Sequence, residues 1–259
     1  MAAPEDRPMT FWDHLESLRG VLLRILAVAM AGFIAVFCFK EPLFKVILAP
    51  STPDFIFYRA IAALGNRLGF DATALTDFSV DMFSATMTAQ FMIHMKMAFY
   101  ASLIAILPYI LYLLFGFISP ALHDDERRHS TAVVVWSYIL FMIGTLVNYF
   151  IIFPLAFRFL GTYQVSESIP NMITLESYTN MLVTLTLMMG ILFELPVLAW
   201  FLGRIGLITP EFMKKYRRHA VVVILAIAAI ITPTTDVVTL MVVSIPIYLL
   251  YEISIRIVK

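Results

Sequence analysis

Six apolar runs, each almost free of charge, dominate this chain and leave little room for anything else. They lie at 21–39, 97–122, 131–153, 178–202, 220–232 and 237–251. A helix needs about 20 apolar residues to cross a hydrocarbon core of about 30 Å, and only a helix or a closed barrel satisfies its backbone there. The first four runs meet that length. The fifth and sixth reach only roughly 20 Å at 1.5 Å per residue. Joined by the turn 233–236, "PTTD", they are expected to form an antiparallel hairpin that stops short of a full bilayer or thins it. The chain is 61% hydrophobic and 14% charged, against roughly a quarter charged in soluble domains. Water-soluble enzyme folds are therefore excluded. The expected fold is an all-α polytopic membrane protein of six transmembrane helices, the last two short.

The polar remainder supplies the boundaries. Residues 1–20 form an amphipathic N-terminal helix, with Trp12, Leu15, Leu18 and Leu22 on one apolar stripe. They are too polar and acidic for a cleaved signal peptide, so the first run is expected to remain as a span. Residues 40–96 form an ordered cap on the outer side, where 154–177 makes a second outer segment. Residues 123–130 and 203–219 are inner loops, and 252–259 is the tail. An even number of spans puts both termini on one side. Arg7, Arg19, Arg127, Arg128, Arg204, Lys214, Lys215, Arg217, Arg218, Arg256 and Lys259 fall there, and the positive-inside rule makes that side cytoplasmic. Net charge is zero, so nothing draws nucleic acid. The single cysteine, Cys38, forms no internal disulfide. Pro108, Pro120, Pro154, Pro196 and Pro246 sit in or beside the spans, where each removes a donor and bends its helix. Together they favour a curved bundle.

Three constellations carry chemistry. Glu194 lies well inside the fourth run, where a carboxylate costs a few kcal/mol. It serves as a structural hydrogen bond to a neighbouring helix, as a proton or ion site, or as a docking point for a polar residue on a partner helix. The loop "PALHDDERRHS", 120–130, sets Asp124, Asp125 and Glu126 beside two arginines: a solvated loop, or carboxylates ready for a basic ligand. The opening stretch "DHLESLR", 13–19, places Asp13, Glu16 and Ser17 beside the apolar stripe. No HExxH, GxSxG, P-loop or histidine cluster occurs, so no enzyme, metal or cofactor is expected. Glu194 keeps a proton- or ion-coupled solute transporter as the alternative, which the lack of internal repeats weakens.

The segments "HLESLR", "LAPSTPDFIFYR", "SPALHDDERR", "NYFIIFPLAFRFL", "FELPVLAWFL", "GLITPEFMKKYRRHAVV" and "ITPTTDVVTLMVV" together resemble the TatC family, the large subunit of the twin-arginine protein translocase. The resemblance runs from about Phe11 to Ile255. It implies a glove-like wall of six helices in the bacterial cytoplasmic (inner) membrane, drawing on the proton-motive force. It implies a receptor for twin-arginine signal peptides of folded cargo proteins, assembled with single-span subunits of the TatA and TatB type and with further copies of itself. Two guanidinium groups suit planar carboxylates, which they bind in bidentate fashion. The implied peptide site comprises Glu126 with Asp13, Glu16, Ser17, Arg19 and Phe117. The implied partner contacts are Glu194, Asp236 and Pro50. Two positions depart from the family. Ser17 stands where the family has glutamate, with Glu16 about 100° away around the helix. The outer tip reads "TPTTD" in place of "TPPD", and Leu240 replaces a frequent glutamine.

Overall fold

The computed structural model describes residues 11–68, 78, 80–118, 130–164, 166, 171–232 and 237–258. Helix α1 (Phe11–Cys38) runs unbroken through the boundary expected at residue 20. No proline interrupts it, and Gly20 has open space around it, so nothing forces a bend where the polar prelude becomes apolar. Helices α2 (Lys40–Leu48) and α3 (Ile56–Leu68) follow, separated by a 3-10 turn at Ala49–Ser51. Helix α4 (Ala89–Ile118) holds Pro108 inside it. Helix α5 (Ser130–Val147) opens into a π-helical turn, Asn148–Ile152, before α6 (Phe153–Thr162). Then come α7 (Leu175–Phe193), α8 (Leu195–Arg204), α9 (Pro210–Lys215), α10 (Arg217–Ile231) and α11 (Val237–Ile257). A two-residue parallel ladder pairs Met82 with Ile173 and Phe83 with Thr174.

The π-helical turn has a local cause. A proline ring clashes with the carbonyl four residues back in an α-helix and offers that carbonyl no donor. Pro154 would meet Phe150 in this way. Widening the preceding turn relieves the clash, and the Phe153 amide reaches back five residues to the Asn148 carbonyl. The last helix also differs from the pattern. Its apolar part ends near Tyr251, but the helix continues to Ile257. The extra turn and a half carries Glu252, which is held by Arg217 of α10 (2.8 Å) and by the Tyr248 hydroxyl (2.8 Å). Among the described residues, five helical stretches are long and apolar enough to cross a membrane: Leu15–Cys38, Ala89–Leu114, Ala132–Thr162, Leu175–Arg204 and Thr239–Ile257. Helix α10, at 15 residues, reaches about 22 Å.

The chain divides into two units. The first takes α1, α4 from Ala98 onward, and α5 as far as Tyr138. There α1 and α4 approach closely at Gly32, where a Cβ would stand 2.5 Å from Ser102 Oγ. Ser102 is buried and its hydroxyl donates to the Ala29 carbonyl at 3.4 Å.

The second unit holds the rest. One end of it is an aromatic cluster. Phe153 and Phe157 meet Tyr178 edge-on at 5.1 and 5.0 Å, and Tyr58 meets Phe78 at 5.0 Å. Three tyrosine hydroxyls then donate across to backbone carbonyls of distant segments. Tyr58 donates to Pro154 (2.9 Å), Tyr178 to Ile47 and Tyr149 to Val46 (both 2.7 Å). Each such bond contributes about 0.5–1.5 kcal/mol net, and together they tie the cap to the spans. Deeper in this unit, Met189 and Phe193 of α7 pack with Ile224 and Ala228 of α10 and Val243 and Ile247 of α11.

Small residues permit that closeness, as is usual where membrane helices meet. A Cβ on Gly144 would stand 2.6 Å from the Met189 carbonyl oxygen and 2.8 Å from the Phe193 ring. Backbone cannot give way as a flexible side chain does. Gly144→Ala is therefore expected to destabilise the second unit by about 1–3 kcal/mol, read as a lower unfolding midpoint in detergent. Gly20→Ala, which meets nothing and favours the helix, should not lower the midpoint.

Candidate functional site

Glu16, Ser17 and Arg19 are exposed on α1. Glu16 and Ser17 follow Asp13 by three and four residues, so all three positions share one side of the helix. The Asp13 side chain lies outside the described residues, as do Glu126 within 119–129 and Asp236 within 233–236. Phe117 is half-buried in the last turn of α4. Between α1 and α4 the described helices have 9 and 13 residues, too short to cross a bilayer. The two long helices therefore traverse the membrane in opposite directions. Counted along the helices, Glu16 lies about 24 Å from Gly32 and Phe117 about 22 Å from Ser102. Both end at the same membrane face, which brings the acidic stretch and the aromatic to one level.

Glu194 stands at a break. Helix α7 ends at Phe193, Glu194 has φ −75° and ψ −6°, and α8 begins at Leu195. Pro196 causes it, since it brings no amide to the Leu192 carbonyl. The Glu194 amide turns instead to the Ile191 carbonyl at 3.0 Å. Its neighbours Phe193, Leu192 and Leu195 are anchored against α10 and α11, so the half-buried carboxylate is held at a fixed depth within the span. Non-helical backbone at membrane depth persists where protein or a wet cavity receives it.

Pro50 is buried in the cap, its carbonyl 3.3 Å from the Tyr58 hydroxyl. Burial raises the Tyr58 phenol above its ordinary range, with Arg158 pulling the other way. The hydroxyl stays neutral and keeps donating. No group of three or more potential metal ligands occurs among the described residues.

The structure also reveals intramembrane polar groups that the hydropathy reading passed over. Asn148 is fully buried on the π-helical turn and donates from Nδ2 to Thr186 Oγ1 at 2.9 Å. Its Oδ1 and the Thr145 hydroxyl, one turn earlier, are buried with no partner. Lys96 donates to Asn180 Oδ1. An asparagine in the middle of "GTLVNYFII" was the available signal, because such residues mark packing or function in spans.

Comparison with known proteins agrees with this architecture. The family model described as "Sec-independent protein translocase protein (TatC)" matches residues 13–246. A relative of that name from Blattabacterium sp. subsp. Periplaneta americana is 35% identical over 98% of this chain and 96% of its own length. The TatCy protein of Bacillus subtilis is 32% identical over 97% and 89%. A crystal structure of "Twin Arginine Translocase Receptor- TatC" superposes with a TM-score of 0.68 at 30% identity, covering 94% of this chain and 97% of that one. The same receptor "in DDM" gives a TM-score of 0.71.

The Asn148–Thr186 bond joins two spans and is testable by a double-mutant cycle. Hydrogen bonds between membrane helices average about 0.6 kcal/mol of coupling. Asn148→Leu and Thr186→Val should show a coupling of about that size in reversible unfolding. Strict additivity would mean the pair contributes nothing.

Proposed function

Since the chain belongs to the TatC family of Sec-independent protein translocase proteins, we propose that it is the receptor subunit that takes up twin-arginine signal peptides and assembles with single-span partner subunits to export folded proteins. The reading is supported by the family match over residues 13–246 and by the exposure of the acidic stretch, Glu16 and Ser17, at the start of the first long helix. Glu16 and Asp13 supply carboxylates to a doubly basic ligand, and Glu126 supplies the principal one. Bidentate Arg–carboxylate pairs give both energy and geometry, so two such acids read a pair of arginines and discriminate against lysines. Phe117 receives the apolar part of the peptide. Ser17 contributes a hydrogen bond where the family has a charge. Arg19, one turn after Glu16, flanks the acids on the next face of the helix.

Glu194 takes a separate role. Fixed at the α7–α8 break, it offers an acceptor to a polar position on a partner's membrane helix. Asp236 serves the outer end of that contact, and Pro50 shapes the cap above it. Both termini then face the cytoplasm, in the inner membrane of a bacterium, and further copies of the chain complete the complex. The solute-transporter alternative is set aside by family membership.

Glu126→Ala should abolish crosslinking of a twin-arginine signal peptide to residues 13–19 while the protein still inserts, with a twin-lysine peptide as the control. Unchanged crosslinking would overturn the peptide-receptor assignment. Glu194→Ala should weaken co-purification of single-span partners more than peptide crosslinking. Equal losses in both would show that the two roles are one.

A further inference from the structure

Helices α8 and α11 end together, and a cavity opens between their ends. It has a volume of about 450 Å³ and is lined by Trp200, Gly203, Arg204 and Ile257. Two candidate membrane spans stop at those residues, one at Arg204 and one at Ile257, so the cavity lies at the boundary between hydrocarbon and water. Gly203 makes the approach possible, because a Cβ there would stand 2.8 Å from Val258 Cγ1.

The charge in this cavity is uncompensated. The Arg204 guanidinium lies over the Trp200 ring, 5.5 Å from its centroid. Nearby, Glu252 is engaged by Arg217, and among the described residues no carboxylate pairs with Arg204. Stacking on the indole fixes the guanidinium plane but leaves its donors for an anion. Below the cavity runs an apolar track. Leu249, Ile253 and Ile257 recur every four residues toward the end of α11, and all are exposed.

We propose that this cavity binds the phosphate headgroup of an anionic phospholipid, with Arg204 as its anion partner, Trp200 as the plate that orients Arg204, and the α11 stripe as the track for an acyl chain. The two halves of the site match the two halves of such a lipid. Basic pockets between spans take phosphate headgroups for this reason, and an indole beside the headgroup level is at home in the interface. A free phosphate would use Arg204 but not the track.

Native mass spectrometry of the full-length protein in detergent tests this, using phosphatidylglycerol and phosphatidylcholine of matched chains. The wild type should retain phosphatidylglycerol preferentially. Arg204→Gln should lower that retention about fivefold, the effect of one interfacial cation, with an unchanged unfolding midpoint. Trp200→Leu should lower it as well, since the unstacked guanidinium loses its orientation. Lys214→Gln, outside the cavity, should not. Equal retention of the anionic lipid by Arg204→Gln and wild type would overturn the proposal, as would equal retention of the two lipids. Complete displacement by excess inorganic phosphate would reduce the site to a phosphate site and overturn the lipid assignment. In membranes, a photoreactive residue at position 257 should crosslink to lipid. Crosslinking to a polypeptide instead would put a protein there and overturn it too.

Discussion

Hydrocarbon offers no partner to a stranded backbone group, and that constraint orders everything else in this chain. Two irregularities in the spans are answered from within the protein. Pro154 is met by a π-helical turn in which the Phe153 amide reaches the Asn148 carbonyl, and the carbonyl of Pro154 itself is taken by the Tyr58 hydroxyl at 2.9 Å. Pro196 is met by a break at which the Glu194 amide finds the Ile191 carbonyl. Tyrosines do at the cap end what water does in a soluble protein. The same rule explains why a carboxylate inside a span is affordable only where the backbone is already broken and the flanking side chains are anchored.

Much of the fold was legible from hydropathy, because crossing a bilayer demands length and apolarity of each helix separately. What escaped was whatever depends on a second segment. The continuation of α11 to Ile257 is invisible locally, since Glu252 and Arg256 look like a polar tail. It becomes helix because Arg217, from another helix, holds Glu252. The π-helical turn escaped because proline advertises a kink but not the form it takes. The ladder between Met82 and Ile173 joins segments far apart in sequence and is too short to leave an alternating pattern.

The candidate site was legible to a different degree in its parts. The spacing of Asp13, Glu16 and Ser17 alone places them on one side of a helix, and the helix is there. That Phe117 stands at the same level needed the crossing point at Gly32 and Ser102, which no pattern in either span announces. Glu194 was conspicuous as a lone charge, but its attachment to the break and to the α10–α11 core was not. Asn148 had the same kind of signal in weaker form, a neutral polar residue in an apolar run, and it forms the hydrogen bond that joins α7 to the π-helical turn.

The unbroken α1 has a mechanical meaning. A rod pinned at one close contact is a lever with unequal arms. Measured from Gly32, the arm to Glu16 is about 24 Å and the arm to Cys38 about 9 Å. A tilt of α1 about that fulcrum therefore moves its far end by somewhat more than a third of the displacement at the acidic end, in the opposite direction. A broken helix would have absorbed the motion at its joint. A continuous one converts a large excursion on one side of the bilayer into a small, stiff one on the other.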